Sequence, residues 1–260
     1  MTENWQPEAV FSSSGTTGAT TSQHLLRSKT AYIDNTLLGF QNFYGAIENW
    51  CVLALLPAYL ERTGSSLVYM AQAFIERSKY AESGFFLDDT KRLATILREN
   101  QAKNTPTLLL GVSFALWDLA ESHPQNLSNI TIMETGGMKG RRKEITRAEL
   151  HLLLNTAFQT QNIHSEYGMT ELLSQGYSQG KGVFSPAPTM RILIRDTTDP
   201  LTILGANKSG CINVIDLANL ATCSFIATDD LGKSFQNGDF EVLGRIDSSD
   251  VRGCNLLVIE

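Results

Sequence analysis

Thr107-Leu108-Leu109-Leu110-Gly111-Val112 is apolar almost throughout, as a strand buried on both faces of a sheet must be. Phe114 to Glu121 then has helical character and stops before Pro124, which cannot continue a helix. Asn129 to Met133 is the next short strand, Ile145 to Ala157 the next helix, and Asn162 to Glu166 a strand that runs into a glycine turn. Strand, helix and strand in alternation predict an α/β layered domain with a mainly parallel sheet.

The same pattern extends upstream. Cys51 to Leu56 is a buried strand closed by Pro57. Ser65 to Lys79 has helical spacing in Leu67, Met70, Ala71, Phe74 and Ile75, with Ser65 or Ser66 as N-cap. Asp88 to Gln101 is a second amphipathic helix, with Leu93, Ile96 and Leu97 on one face. A mostly helical stretch is expected from about His24 to Glu48, preceded by a polar lead-in over the first ten residues. Between them, Phe11 to Ser22 is so rich in glycine and small hydroxylated residues that it predicts a loop. Downstream of Gly180 the character changes. Thr189 to Arg195, Gly210 to Ile215 and Phe240 to Leu243 are short strands, with at most one helical turn near Leu217 to Leu220. The expected division is an α/β core over residues 1–180 and a smaller antiparallel, β-rich subdomain over 181–260.

Composition narrows the function classes. The 260 residues are 42% hydrophobic and 18% charged, enough to bury a sizeable core without disulfides. Lys and Arg number 21 against 27 acidic residues, a net charge of -6, which argues against a broad nucleic-acid face. A nucleotide stays open, because local donors and a metal hold it rather than net charge. No apolar stretch is long enough to span a bilayer; the most apolar, Cys51 to Leu60, is broken by Pro57 and followed by Glu61-Arg62. Met1-Thr2-Glu3-Asn4 is no signal peptide, and Cys51, Cys211, Cys223 and Cys254 show no CxxC spacing, so a reducing cytoplasm is the expected location. His24, His123, His151 and His164 are scattered, with no pair at metal-ligand spacing.

Five stretches carry chemistry. Ser13-Ser14-Gly15-Thr16-Thr17-Gly18 suits a flexible linker and a phosphate loop equally: its glycines allow inward-turned N–H groups, and its hydroxyls add donors. Glu134-Thr135-Gly136-Gly137 follows a strand and suits either a plain strand-to-helix turn or the close approach of a planar ring. The adjoining Arg141-Arg142-Lys143 is a solvated basic face or a patch for an acidic partner. Ser165-Glu166-Tyr167-Gly168-Met169-Thr170-Glu171 follows another strand, where ligands bind in open α/β sheets; tyrosine can stack on a base and glutamate can ligate a hard cation. A capped surface turn would look the same. Thr228-Asp229-Asp230-Leu231-Gly232 and Gly244-Arg245-Ile246-Asp247 each suit an ordinary turn between strands, or a carboxylate and an arginine gripping ribose and phosphate.

Taken in order, these stretches resemble the acyl-adenylate-forming enzyme superfamily, over nearly the whole chain. Leu55 to Met70, Glu134 to Glu144 and the Arg252-Gly253-Cys254-Asn255-Leu256-Leu257 ending narrow the resemblance to the acyl-protein synthetases of bacterial bioluminescence fatty acid reductase complexes. The resemblance implies ATP and magnesium as cofactors. It implies that Ser13, Ser14, Gly15, Thr16, Thr17 and Gly18 cradle pyrophosphate, that Gly136 and Gly137 lie along adenine with Tyr167 stacking on it, and that Gly168 also binds the nucleotide. It implies Thr170 at the α-phosphate, Glu171 on the metal, and Asp230 with Arg245 at the ribose. It further implies Cys254 as the acyl-carrying nucleophile, a fatty or other carboxylic acid as substrate, and an acyl-CoA or fatty acid reductase as partner protein.

Departures accompany the match. Thr21 and Ser22 stand where a lysine often follows the loop, and Thr228-Asp229-Asp230 replaces the commoner Thr-Gly-Asp. The loop begins a dozen residues in, where relatives carry a long preceding segment, so a fragment, a misassigned start or a reduced protein is expected. Ending just past Arg252-Gly253, the chain is expected to do without the swinging C-terminal domain of ordinary CoA ligases. Two further readings stand beside acyl-protein synthetase: an adenylating enzyme that passes an aryl or acyl group to CoA, and a truncated, non-catalytic binder of nucleotide or partner.

Overall fold

The computed structural model describes residues 5–13, 22–57, 64–138, 141–161 and 163–246. Its centre is the alternation read from the sequence, with one further strand, Gly84–Phe86, that the apolar pattern does not announce. Strands β3 (Cys51–Leu55), β4 (Gly84–Phe86), β5 (Thr107–Val112), β6 (Thr131–Thr135) and β7 (Ile163–Tyr167) lie parallel in the order β4-β3-β5-β6-β7. Every residue of β3 and β5 is buried, which explains their unbroken apolar runs. The linking helices are α2 (Ser66–Arg77), α3 (Thr90–Lys103), α4 (Ser113–Ser122) and α5 (Arg147–Phe158). Since β3 connects outward to β4 while the later crossovers run the other way, right-handed crossovers put α2 on one face and α3, α4 and α5 on the other. α1 (Lys29–Tyr44) packs on α2.

Local signals start and stop these helices. Ser28, Ser65 and Asp89 each accept a hydrogen bond from the first turn they cap. Thr146 and Glu149 form a reciprocal capping box on α5. α3 ends at Asn104 in the left-handed region, at φ 52°.

Beyond β7 the same sheet continues antiparallel. β8 (Gly176–Ser178) and β9 (Val183–Pro186) lead to β14 (Phe240–Arg245), then β13 (Phe225–Ser234), β12 (Ser209–Asp216), β10 (Met190–Arg195) and β11 (Ile203–Leu204), making 12 strands in this sheet among the described residues. One apolar core lies under the parallel strands, and a second, with Phe184, Phe240 and Ile212, under the antiparallel ones. The expected helical turn near Leu217 is a short 3-10 segment, Leu217–Asn219.

Several expectations are corrected. His24 does not begin a helix: it lies in β2 (Gln23–Leu26), paired antiparallel with β1 (Ala9–Ser12). Phe11 and Ser12, expected in a loop, are therefore strand residues, and Phe11 is fully buried against Tyr32 and Tyr69. Pairing and a tertiary apolar contact override a composition that says loop. Thr228 to Gly232 is no turn but the middle of β13, with Thr228 buried and Asp229 exposed on opposite faces, and Gly244-Arg245 closes β14. β3 stops at Leu55, one residue short of expectation.

Candidate functional site

Ligands of open α/β sheets bind outside the carboxyl ends of the strands, and that edge collects most of the sequence candidates here. Thr135 pairs with Glu166 in parallel register, so Gly136-Gly137 and Tyr167-Gly168 leave the sheet side by side. Gly136 takes a φ of 69°, which L side chains rarely adopt, and a Cβ on Gly137 would meet nothing within 4 Å. The glycine loop thus presents bare backbone to open space. The Ser113 hydroxyl reaches the Gly136 carbonyl at 3.4 Å and the Glu134 carboxylate at 3.3 Å, and Arg141 N–H donates to the Met138 carbonyl at 3.0 Å.

Tyr167 is only 8% exposed, with its ring edge-on to Phe240 and Phe184 at 5.5 and 6.2 Å. Its hydroxyl donates to Asp230 Oδ2 at 2.8 Å. Burial, and then the Asp230 charge, push the phenol pKa up, so it stays a donor. Asp230 faces Arg245 across β13 and β14, with Arg245 Nε 4.0 Å from Asp230 Oδ1. Thr228 Oγ1 accepts from Asp230 N–H at 3.1 Å, which sets the backbone there in place of the commoner glycine. Tyr167, Asp230 and Arg245 form one contiguous chain of groups, although they come from distant parts of the sequence.

The second cluster joins the hairpin to the turn after β7. Ser13 N–H donates to the Ser22 carbonyl at 3.0 Å, and Ser22 N–H donates to Ser13 Oγ at 2.9 Å, closing the neck of the hydroxyl-rich segment. The Ser22 hydroxyl donates to Glu171 Oε1. Asn219 Nδ2 holds the Glu171 carbonyl at 2.8 Å, and Thr170 and Glu171 are half-buried. Gly168 is exposed, and a Cβ there would lie 2.5 Å from Glu166 Oε1. Ser14, Gly15, Thr16, Thr17, Gly18 and Cys254 lie outside the described residues.

The donor chemistry fits a magnesium nucleotide. No group of three or more His, Cys, Asp or Glu able to hold a metal occurs among the described residues. Magnesium bound to a nucleotide needs only one or two carboxylates, since phosphate oxygens and water complete its shell. Glu171, hydrogen-bonded to Ser22 at the hairpin neck, is a carboxylate of the kind such an ion could take.

The structure adds residues that the sequence reading left without a role. Glu134 and Glu166 are buried on neighbouring strands. Burial pushes the Glu134 carboxyl up, but contact with His151 and the Arg147 charge outweigh it and hold it below the usual range. Arg147 Nε lies 3.0 Å from Glu134 Oε1. Thr135 donates its hydroxyl to Glu166 Oε2. His24, buried in β2, contacts Thr222 at 3.4 Å; burial lowers its pKa against the nearby Glu171 and Asp216 charges. Strand register and the packing of α5 and the β1–β2 hairpin bring these groups together, and no motif spacing announces it. The basic stretch is occupied within the chain: Arg142 pairs with Asp118 and Glu121 and lies over Trp117 at 4.6 Å, and Arg141 lies over Phe114 at 5.3 Å.

No protein-family model matches the chain, and no curated protein matches it in sequence. Solved structures do match its fold. ATP-bound MatB from Rhodopseudomonas palustris is similar over 91% of this chain and 48% of its own, with a TM-score of 0.67 and 19% identity. The O-succinylbenzoate coenzyme A synthetase MenE from Bacillus subtilis, in complex with ATP and magnesium ion, matches over 91% of this chain and 49% of its own, with a TM-score of 0.59 and 18% identity. A luciferase-like enzyme from the nonluminescent mealworm Zophobas morio matches over 92% and 57%, with a TM-score of 0.58 and 17% identity. The chain spans about half the length of these structures and shares the α/β fold of adenylating enzymes over that span. Among the described residues, no helix is long and apolar enough to cross a membrane.

Proposed function

We propose that the chain activates a carboxylic acid with ATP. An oxygen of the acid's carboxylate attacks the α-phosphorus, the bond from that phosphorus to pyrophosphate breaks, and acyl-adenylate and pyrophosphate form. The single observation that best supports this is the Ser22–Glu171 hydrogen bond, which ties the neck of the phosphate-loop candidate to the Thr-Glu turn. The two motifs are 149 positions apart, and a linker would have no reason to meet a metal-ligand candidate. The fold shared with ATP-bound ligases supports the same step.

In this reading the Ser13-to-Gly18 segment donates to the pyrophosphate oxygens, and Thr170 donates to the α-phosphate. Gly136 and Gly137 lie along one edge of the base, beside Tyr167 and Gly168. Asp230, held by Tyr167 and Arg245, accepts from the ribose hydroxyls. Magnesium, taken by Glu171, supplies charge neutralisation on the phosphates when bound. These residues do positioning and electrostatic work, which is what phosphoryl chemistry asks of a protein.

The finer reading is an acyl-protein synthetase. A fatty acid is the substrate, the Cys254 thiolate attacks the acyl carbonyl carbon with loss of AMP, and a reductase takes the acyl group from the thioester. The motif set from Ser13 to Cys254 supports it. The test is magnesium-dependent ATP–pyrophosphate exchange across a panel of fatty, aryl and small acids. Exchange is expected with fatty acids, and Glu171→Gln, which removes a charged ligand of a hard cation, should reduce it at least tenfold, roughly the effect of losing 1.4 kcal/mol. Exchange with aryl acids alone would favour the CoA-ligase reading, and no exchange with any acid would favour a non-catalytic binder.

A further inference from the structure

We infer that Arg147 is a positioning residue for the adenosine end of the site, locking together the three segments that carry its contacts; the inference rests on the nucleotide-binding reading above. Arg147 is the first residue of α5, and its guanidinium works in three directions. Nε donates to Glu134 Oε1 at 3.0 Å, Nη1 donates to the Val242 carbonyl at 3.1 Å, and Cζ lies 4.9 Å from the centre of the Phe184 ring.

Each contact leads to a different part of the candidate site. Glu134 stands two residues before Gly136, and the Ser113 hydroxyl lies within reach of both the Glu134 carboxylate and the Gly136 carbonyl. The Arg147–Glu134 pair therefore anchors the glycine loop. Phe184 stacks on Phe240 at 5.4 Å, and both rings meet Tyr167 edge-on. The guanidinium thus caps the aromatic group that holds Tyr167. Val242 lies on β14, whose Arg245 faces Asp230. Through that carbonyl, Arg147 fixes β14, which bears Arg245 and pairs with the Asp230 strand, against the parallel part of the sheet.

Only an arginine can do all three. Its planar fork donates in two directions while its face stacks on a ring, whereas a lysine offers a point charge on a flexible stem. Arg147→Lys should keep Glu134 paired but release β14 and Phe184. Glu134 is buried, and removing the charge outright would strand its carboxylate, so the lysine variant is the informative one.

The experiment is calorimetric titration of AMP and, separately, of inorganic pyrophosphate with magnesium, into the parent protein and Arg147→Lys. Thermal melts of both proteins check the fold. AMP should bind roughly tenfold more weakly to the variant, the scale expected when a charge-assisted hydrogen bond that orders a site is lost, with pyrophosphate affinity changed by less than about twofold. Equal weakening of both ligands, or of neither, overturns the inference, because a general structural role would move them together. No binding of AMP to the parent protein sinks the nucleotide reading and this inference with it. AMP binding that survives Arg147→Lys unchanged sinks the inference alone. If Arg147→Lys does not fold, Phe184→Leu, which leaves the Glu134 pair in place, must show the same contrast between AMP and pyrophosphate, and its absence is equally decisive.

Discussion

Glu166 is a buried residue near the end of β7, and its carboxylate accepts from the Thr135 hydroxyl. Burial pushes its pKa up to about 7; the Thr135 hydroxyl pulls the other way, and the Glu134 charge adds to the rise. The folded value exceeds the usual 4.5, so between those limits the folded chain holds a proton that the unfolded chain has released. The stability tied to that proton is complete below the unfolded pKa and is lost as pH rises through about 7. His164 acts in the opposite sense. Burial, with His151 nearby, lowers it to about 4, so its share is present above 6.5 and lost as pH falls through 4. Glu166→Gln isolates the first effect, since His164 is common to both proteins. The variant should melt with the parent at about pH 5 and several degrees above it at about pH 8, at about 2–4 °C for each kcal/mol. A gap that does not change with pH would show that burial does not keep Glu166 protonated. The sequence reading quoted Glu166 inside a motif and assigned it no part, because nothing in the chain's order reveals that Thr135 and Glu134 lie beside it.

At the scale of elements, legibility followed burial. β5 and α2 were read to within a residue or two because their pattern arises from the layers they lie between. β1 and β2 were missed, because a hairpin with only alternate residues inside has short, weak patterns and here borders a glycine-rich segment. The middle of β13 carries no strand pattern either: Thr228, Asp229 and Asp230 are polar in succession, so they suit a turn as well as a ligand contact until the neighbouring strands fix the pairing. Close packing of these strands gives a direct test. A Cβ on Gly210 in β12 would lie 2.3 Å from the Arg195 carbonyl oxygen, a backbone atom that cannot swing aside. Gly205, in the turn before β12, has nothing within 4 Å. Gly210→Ala should lower stability by about 1–3 kcal/mol, as overpacking does, while Gly205→Ala should change it little. Chemical denaturation of both variants reads the difference, and equal midpoints would mean that β10 and β12 yield freely.

Across the whole molecule, one sheet carries both halves of the candidate site. The parallel part supplies the glycine loop and the Tyr-Gly-Met-Thr-Glu turn, and the antiparallel part supplies Asp230 and Arg245. Cys254 follows Arg245 by nine residues, a tether that spans at most about 30 Å when extended. Incubation with ATP, magnesium and a labelled fatty acid should leave hydroxylamine-sensitive label on the protein. Cys254→Ser should lose that label and keep pyrophosphate exchange. Label retained on Cys254→Ser would move the acyl group to another nucleophile, of which Cys223 is the exposed free thiol among the described residues.

Except for the three-residue β4, too short to carry a pattern, the order of strands and helices from Cys51 to Tyr167 was legible in the chain, as were the motif strings themselves, because apolar period, caps and turn residues act within a few positions of one another. The pairings that make a site of those motifs were not. Ser22 meets Glu171, Tyr167 meets Asp230, and Arg147 meets Val242, each across a separation that local periodicity does not encode. Those contacts depend on which strands become neighbours and in what register, and burial of whole faces decides that only when the sheet assembles.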